Sequence, residues 1–125
     1  ASPLHMASVA AAVAAGRWQQ PMLVADQEAA GAGEPLPEVE TLRELMRLVV
    51  TDGTGTAADV DGREVRGKTG TAEFGTPDEE GELPTHAWFI GYAGDLAFAV
   101  VVEGGGGGGE VAAPIGARFL TALET

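Results

Sequence analysis

Cysteine is absent from the 125-residue chain. Disulfides and thiolate metal sites are thereby excluded, although the compartment stays open. Positive charge is scarce: seven Lys and Arg face nineteen Asp and Glu, for a formal net charge of −12. Phosphate backbones are held by clustered Lys and Arg, so a nucleic-acid partner is not expected. The acidic surface points to solubility. Histidine is limited to His5 and His86, which are far apart and form no ligand spacing, so no metal is expected. Long hydrophobic runs are missing too. No apolar segment reaches the roughly 18 residues of a membrane span. Ala7–Ala15 is apolar, but no basic segment precedes it, and it reads as an ordinary helix rather than a signal sequence. The chain begins at Ala1 without a Met, which leads us to expect a piece of something longer.

What is present suffices for one small domain, with 45% hydrophobic residues. Ser2-Pro3 has the form of a helix start, with Ser as cap and Pro in the first turn. Met6, Val9, Ala10 and Val13 then fall on one helical stripe, and Gly16 suits the stop. Gln20–Pro37 contains three prolines and two glycines and reads as an extended connector or loop. A second helix is predicted over Pro37–Val50, with Leu42, Leu45, Met46 and Val49 on one face. Its Glu38 and Glu40 precede Arg43 and Arg47, as the helix dipole favours. Thr51–Gly62 is turn-rich.

Three strands are predicted next, over Glu64–Phe74, Ala87–Ala93 and Leu96–Glu103, with Gly94-Asp95 as a hairpin turn. Six glycines, Gly104 to Gly109, read as a tolerant and mobile connector. A third helix is expected over Val111–Leu123, with Ala112, Ile115, Phe119, Ala122 and Leu123 facing inward. The fold class is therefore α+β, an antiparallel sheet covered by helices.

The chemistry centres on GREVRGKTGTAEFG, Gly62 to Gly75. Gly62–Thr69 fits the phosphate-loop pattern G-x-x-x-x-G-K-[ST]. That loop needs a buried strand before it and a helix after it. Polar turn residues precede Gly62, and Gly70, Gly75 and Pro77 follow, so nucleotide binding is set aside. As a strand, the same residues offer a cation at Lys68, hydroxyls at Thr69 and Thr71, and close backbone access at Gly70. A strand N–H can also serve an oxyanion hole. This suits acyl transfer on a carboxylate-bearing substrate, whereas the plain alternative is a solvated lysine on a bulged strand. His86 reads as a strand-start residue rather than a proton carrier, and Trp88 and Phe89 as core aromatics. Thr76–Pro84 reads as a solvated hairpin loop, or as a loop at the mouth of a cleft.

Five ordered segments carry a resemblance. SPLHMASVAAAVAAGRWQQPMLV, LRELMRLVVTDGTGTA, VRGKTGTAEF, HAWFIGYAGDLAFAVVVE and APIGARFL together resemble the C-terminal part of penicillin-binding protein transpeptidase domains, class B-like. The resemblance implies a partial penicillin-binding protein/serine β-lactamase-like fold. It also implies a parent D,D-transpeptidase that cross-links peptidoglycan stem peptides ending in D-Ala-D-Ala and binds β-lactams, without a cofactor. On that footing Lys68 and the backbone N–H of Thr71 are the catalytic candidates, and Thr69, Gly70 and Thr71 the substrate or β-lactam-binding ones. The family's S-x-x-K and S-x-N motifs are not found here, because Ser2 and Ser8 are the chain's two serines and neither begins such a motif.

Residues 1–125 would then be one wall of an active site, inactive alone, with the nucleophile in an upstream part of the same domain. The Glu64–Phe74 strand edge would be covered by that part or by another copy. The resemblance further implies a place at the extracytoplasmic face of the bacterial membrane, with any anchor outside this chain. A serine β-lactamase or D,D-carboxypeptidase, and a non-catalytic β-lactam sensor or scaffold, are the alternatives.

Overall fold

The computed structural model describes residues 1–28 and 31–123. In chain order the elements are α1 (Pro3–Ala15), β1 (Arg17–Trp18), β2 (Glu34–Pro35), α2 (Val39–Thr51), a 3₁₀ turn (Thr56–Ala58), β3 (Arg66–Glu73), β4 (Thr85–Ala93), β5 (Leu96–Val102), a π-helical turn (Gly108–Ala112) and α3 (Ala113–Ala122). β3, β4 and β5 form an antiparallel sheet in that spatial order. The α+β expectation is met, with small shifts at the element ends.

Local sequence accounts for the helix ends. Ser2 Oγ accepts the His5 N–H at 3.1 Å, Pro3 opens α1, and Gly16 closes it with φ of 78°. Past that end, Arg43 donates to the carbonyls of Val13 and Ala14 at 3.0 and 2.8 Å, satisfying two acceptors that a helix end leaves free. Arg47 donates to the Val65 carbonyl and Arg66 to that of Arg43. These arginines tie α1, α2 and β3 together, a larger role than complementing a dipole. Within the predicted connector Gln20–Pro37, Glu34–Pro35 forms a short strand that pairs antiparallel with Arg17–Trp18. Residues 29 and 30 of that connector lie outside the described residues.

Strand alternation gives the sheet two different faces. Ala87, Phe89 and Ala93 of β4 point to the rear, where they pack with Phe98, Ala112, Ala113, Leu120, Val50 and Val65 in the main core. Phe89, Leu120, Val50 and Val65 are fully buried there. Trp88, Ile90 and Tyr92 point to the front. Tyr92 joins Val13 and Met46 in a second, smaller cluster.

One expected stripe is corrected. In the third helix Ala112, Ala113, Gly116 and Leu120 face inward, whereas Phe119, Ala122 and Leu123 are exposed. The π turn shifts the helical phase, and small residues let the helix approach closely: a Cβ on Gly116 would lie 3.0 Å from the Phe98 ring. In α2 the predicted face does hold together, with Leu42, Leu45, Met46 and Val49 lining one groove. However, Leu42 and Leu45 remain exposed, and α2 buries Met46 and Val50.

Candidate functional site

The K-T-G-T residues lie in the middle of β3, an edge strand paired with β4. Lys68 pairs with Ile90, Thr69 with Phe89, Gly70 with Trp88 and Thr71 with Ala87. No helix follows Thr69, which agrees with setting the phosphate-loop pattern aside.

Backbone polarity follows from the ladder. Just past the strand end the Phe74 N–H donates to the Pro84 carbonyl at 3.0 Å. Antiparallel pairs alternate between hydrogen-bonded and non-bonded types. Counting back in register, Ala72, Gly70 and Lys68 turn their N–H and C=O groups toward β4. Thr71 and Thr69 turn theirs outward to the open edge. The outward direction of Thr69 is visible in one contact, as Lys68 Nζ donates to the Thr69 carbonyl at 2.7 Å.

Side chains divide between the faces. Lys68 and Gly70 lie on the front with Ile90 and Trp88, at the floor of two adjoining grooves. One groove, of about 750 Å³, runs between α1 and α2 and is lined by Val9, Val13, Leu45, Met46 and Ile90. The other, of about 420 Å³, is lined by Met6, Thr69, Gly70, His86 and Trp88. Lys68 and Ile90 belong to both. Thus an exposed ammonium group sits within a largely apolar trough.

Thr69 and Thr71 turn their side chains to the rear rim. The Thr69 hydroxyl is 2.6 Å from that of Thr54, and the Thr71 hydroxyl accepts the Gly108 N–H at 3.3 Å. The structure therefore brings all four predicted residues to one short edge, with a cation on one side of the strand and two hydroxyls on the other.

Thr54, Gly108 and Gly109 were missed as partners of this edge. The Thr-Gly-Thr-Ala turn and the glycine run were their signals in the sequence, but neither signal gives a distance. The glycine run itself is corrected. It is not a uniform tolerant connector, because Gly108 is buried and Gly108 and Gly109 form the first turn that packs on β3. His86 Nδ1 accepts the Gly104 N–H at 3.0 Å, and the His86 ring stacks on Phe74 with centroids 3.9 Å apart. These contacts fit the structural reading of His86. Phe89 is core as expected, whereas Trp88 lines the second groove. At the start of β3, hydrogen bonding and charge from Arg66 hold the exposed Glu64 carboxyl below its usual range. Among the described residues no cluster of His, Cys, Asp and Glu is arranged to hold a metal, and no helix is long and apolar enough to cross a membrane.

Known proteins share this fold. The D,D-transpeptidase domain of a peptidoglycan glycosyltransferase from Eggerthella lenta is 34% identical, with a TM-score of 0.70, over 97% of this chain and 31% of that one. Penicillin-binding protein A from M. tuberculosis, solved as a ceftriaxone acyl-enzyme complex, is 29% identical with a TM-score of 0.72, over 98% and 32%. The transpeptidase domain of penicillin-binding protein 3 from Burkholderia pseudomallei is 27% identical with a TM-score of 0.68, over 95% and 41%. The chain thus spans between 31% and 41% of the length of these structures. No curated protein matches the sequence. The penicillin binding protein transpeptidase domain family matches residues 1–121, and this chain belongs to that family.

Proposed function

We propose that the chain is the C-terminal part of a peptidoglycan D,D-transpeptidase that works through a serine acyl-enzyme and is acylated by β-lactams. The observation that carries this reading is the outward-facing Thr71 N–H on an edge strand, beside the Lys68 ammonium and the Thr69 and Thr71 hydroxyls. An oxyanion needs donors already in place where its charge develops, and the Thr71 N–H supplies one. Lys68 sets a positive potential over the trough and faces the serines of S-x-x-K and S-x-N, which the rest of the domain contributes. The two threonine hydroxyls bind the carboxylate of a D-Ala-D-Ala end or of a β-lactam, and Gly70 gives that ligand clearance.

The acyl-enzyme complex of the M. tuberculosis relative supports the β-lactam part. The rest of the same domain covers the apolar trough between α1 and α2 and completes the sheet. Without a nucleophile the 125-residue chain forms no acyl-enzyme, because a nucleophilic unit loses nearly all of its rate when its key member is missing. The parent acts at the extracytoplasmic face of the bacterial membrane.

The test is intact mass after incubation with benzylpenicillin, on the longest polypeptide the gene encodes and on the 125-residue chain. A stable adduct on the long form alone is expected. Rapid hydrolysis of that adduct would instead indicate a β-lactamase, and no adduct on either form would indicate a non-catalytic scaffold.

A further inference from the structure

We propose that the π-helical turn at Gly108 and Gly109 is a positioning element that aims the two threonine hydroxyls of the K-T-G strand at the ligand carboxylate; this rests on the transpeptidase reading. Gly108 lies against the rear of the Gly70–Trp88 pair. A Cβ placed on it would be 2.8 Å from the Gly70 nitrogen and closer still to the carbonyl oxygens of Gly70 and Trp88. All three obstacles are backbone, so no rotamer change relieves them. Gly109 is equally confined, since its Cβ would overlap the Thr54 carbonyl oxygen. Thr54 is the residue whose hydroxyl meets that of Thr69. The two glycines therefore press on the supports of both ligand-binding threonines.

The hydrogen-bond polarity adds a chemical consequence. Gly108 N–H donates to Thr71 Oγ1, so that oxygen is an acceptor on the rear side. Its proton is left to be donated elsewhere, as a carboxylate at the strand edge requires. A backbone donor fixed by a close-packed turn holds this polarity without a mobile side chain.

The neighbouring Gly107 supplies the control. Gly107 has φ of −82° and ψ of 136°, open to any residue, and a Cβ there would find its nearest neighbour at 4.0 Å. Within the six-glycine run, Gly104 and Gly106 adopt positive φ and a Cβ on Gly105 would lie 2.6 Å from Val102, so Gly107 is the position open to a side chain, and Gly108 and Gly109 are the two packed on the strand and its support.

The experiment uses the longest polypeptide encoded by the gene and measures its acylation rate constant with benzylpenicillin. Gly107→Ala is expected to stay within about twofold of wild type, and Gly108→Ala to slow acylation roughly 10- to 100-fold, as misplacement near 1 Å does. In a Thr71→Val background the further cost of Gly108→Ala is expected to shrink to about twofold or less, because both changes remove one interaction. A Gly108→Ala rate equal to that of Gly107→Ala, or a full cost that persists beside Thr71→Val, overturns the proposal.

Should Gly108→Ala not fold, amide hydrogen exchange on the folded Thr71→Val protein decides. Faster exchange at Gly108 with Gly107 unchanged is expected, and no change at Gly108 overturns the proposal. Failure of wild type to be acylated would instead remove the transpeptidase reading, and the amide measurement would still decide whether the turn holds the Thr71 hydroxyl.

Discussion

The two faces of the three-stranded sheet differ in how completely this chain closes them. At the rear, Phe89, Leu120, Val50 and Val65 are fully buried, and α3 approaches through Ala113 and Gly116. At the front, Tyr92, Val13 and Met46 make a small cluster at one end. The remainder opens into a trough whose rim includes Leu42, Leu45 and Leu48, which are 40%, 54% and 53% exposed. The rear therefore carries the fold, whereas the front presents apolar surface and the Lys68 cation to something further. The K-T-G edge therefore lies between a face that this chain closes and one that it leaves open.

The sharpest way to break the comparison is to damage the rear. Phe89→Ala removes a ring at 0% exposure that packs against Phe98 at a centroid distance of 5.9 Å. Truncation of a buried Phe costs about 3–5 kcal/mol, a large share of a small domain's stability. Denaturant unfolding of the longest encoded polypeptide should show that loss in its least stable transition. A loss below about 1 kcal/mol would mean that the rear is not the main core.

The sequence made the rear legible in outline and the front only in part. Phe89 was read as a core aromatic and is one, and the Ser2-Pro3 start and Gly16 stop of α1 held, whereas Trp88, read as core too, lines the front groove. Lys68, Thr69, Gly70 and Thr71 could be proposed from the sequence because their chemistry is local to four consecutive residues. The stripe of α3 was misplaced because a π turn adds to the phase of the helix, and nothing in GGEVA announces it. Leu42 and Leu45 were grouped correctly with Met46 on one face of α2, yet this chain leaves both exposed. Periodicity reports a shared face and does not say whether this chain covers it. Thr54 and Gly108 escaped notice because their partners lie 15 and 37 residues away.

A substitution on the open rim sharpens the same contrast at intermediate size. Leu45→Ser changes a side chain that lines the larger groove and is more than half exposed. In the 125-residue chain its effect on unfolding free energy should fall within about 0.5 kcal/mol. If the rest of the domain fills the trough as proposed, the cost in the longest encoded polypeptide should rise to about 2 kcal/mol or more. Equal small effects in both would show that the trough stays open in the whole protein.

Tyr92 tests the closed end of the front with the smallest expected change. Its hydroxyl is buried and makes no hydrogen bond among the described residues. Burial raises its pKa above the usual phenol value, and the Arg66 and Arg43 charges oppose the rise. A buried hydroxyl without a partner contributes little, so Tyr92→Phe should be neutral to slightly stabilising, within about 0.5 kcal/mol. The pH dependence has a definite sign. A phenol whose folded pKa is raised favours the fold while it is neutral, below the unfolded value of about 10, and that advantage is lost as pH rises through the folded value. Wild type should therefore lose stability in that alkaline range relative to Tyr92→Phe. Tyr92 is the chain's one tyrosine, so phenolate absorbance of the 125-residue chain reports it directly. Titration at the ordinary value, with parallel stability curves for the two proteins, would place water at Tyr92 and extend the open trough along the whole front face.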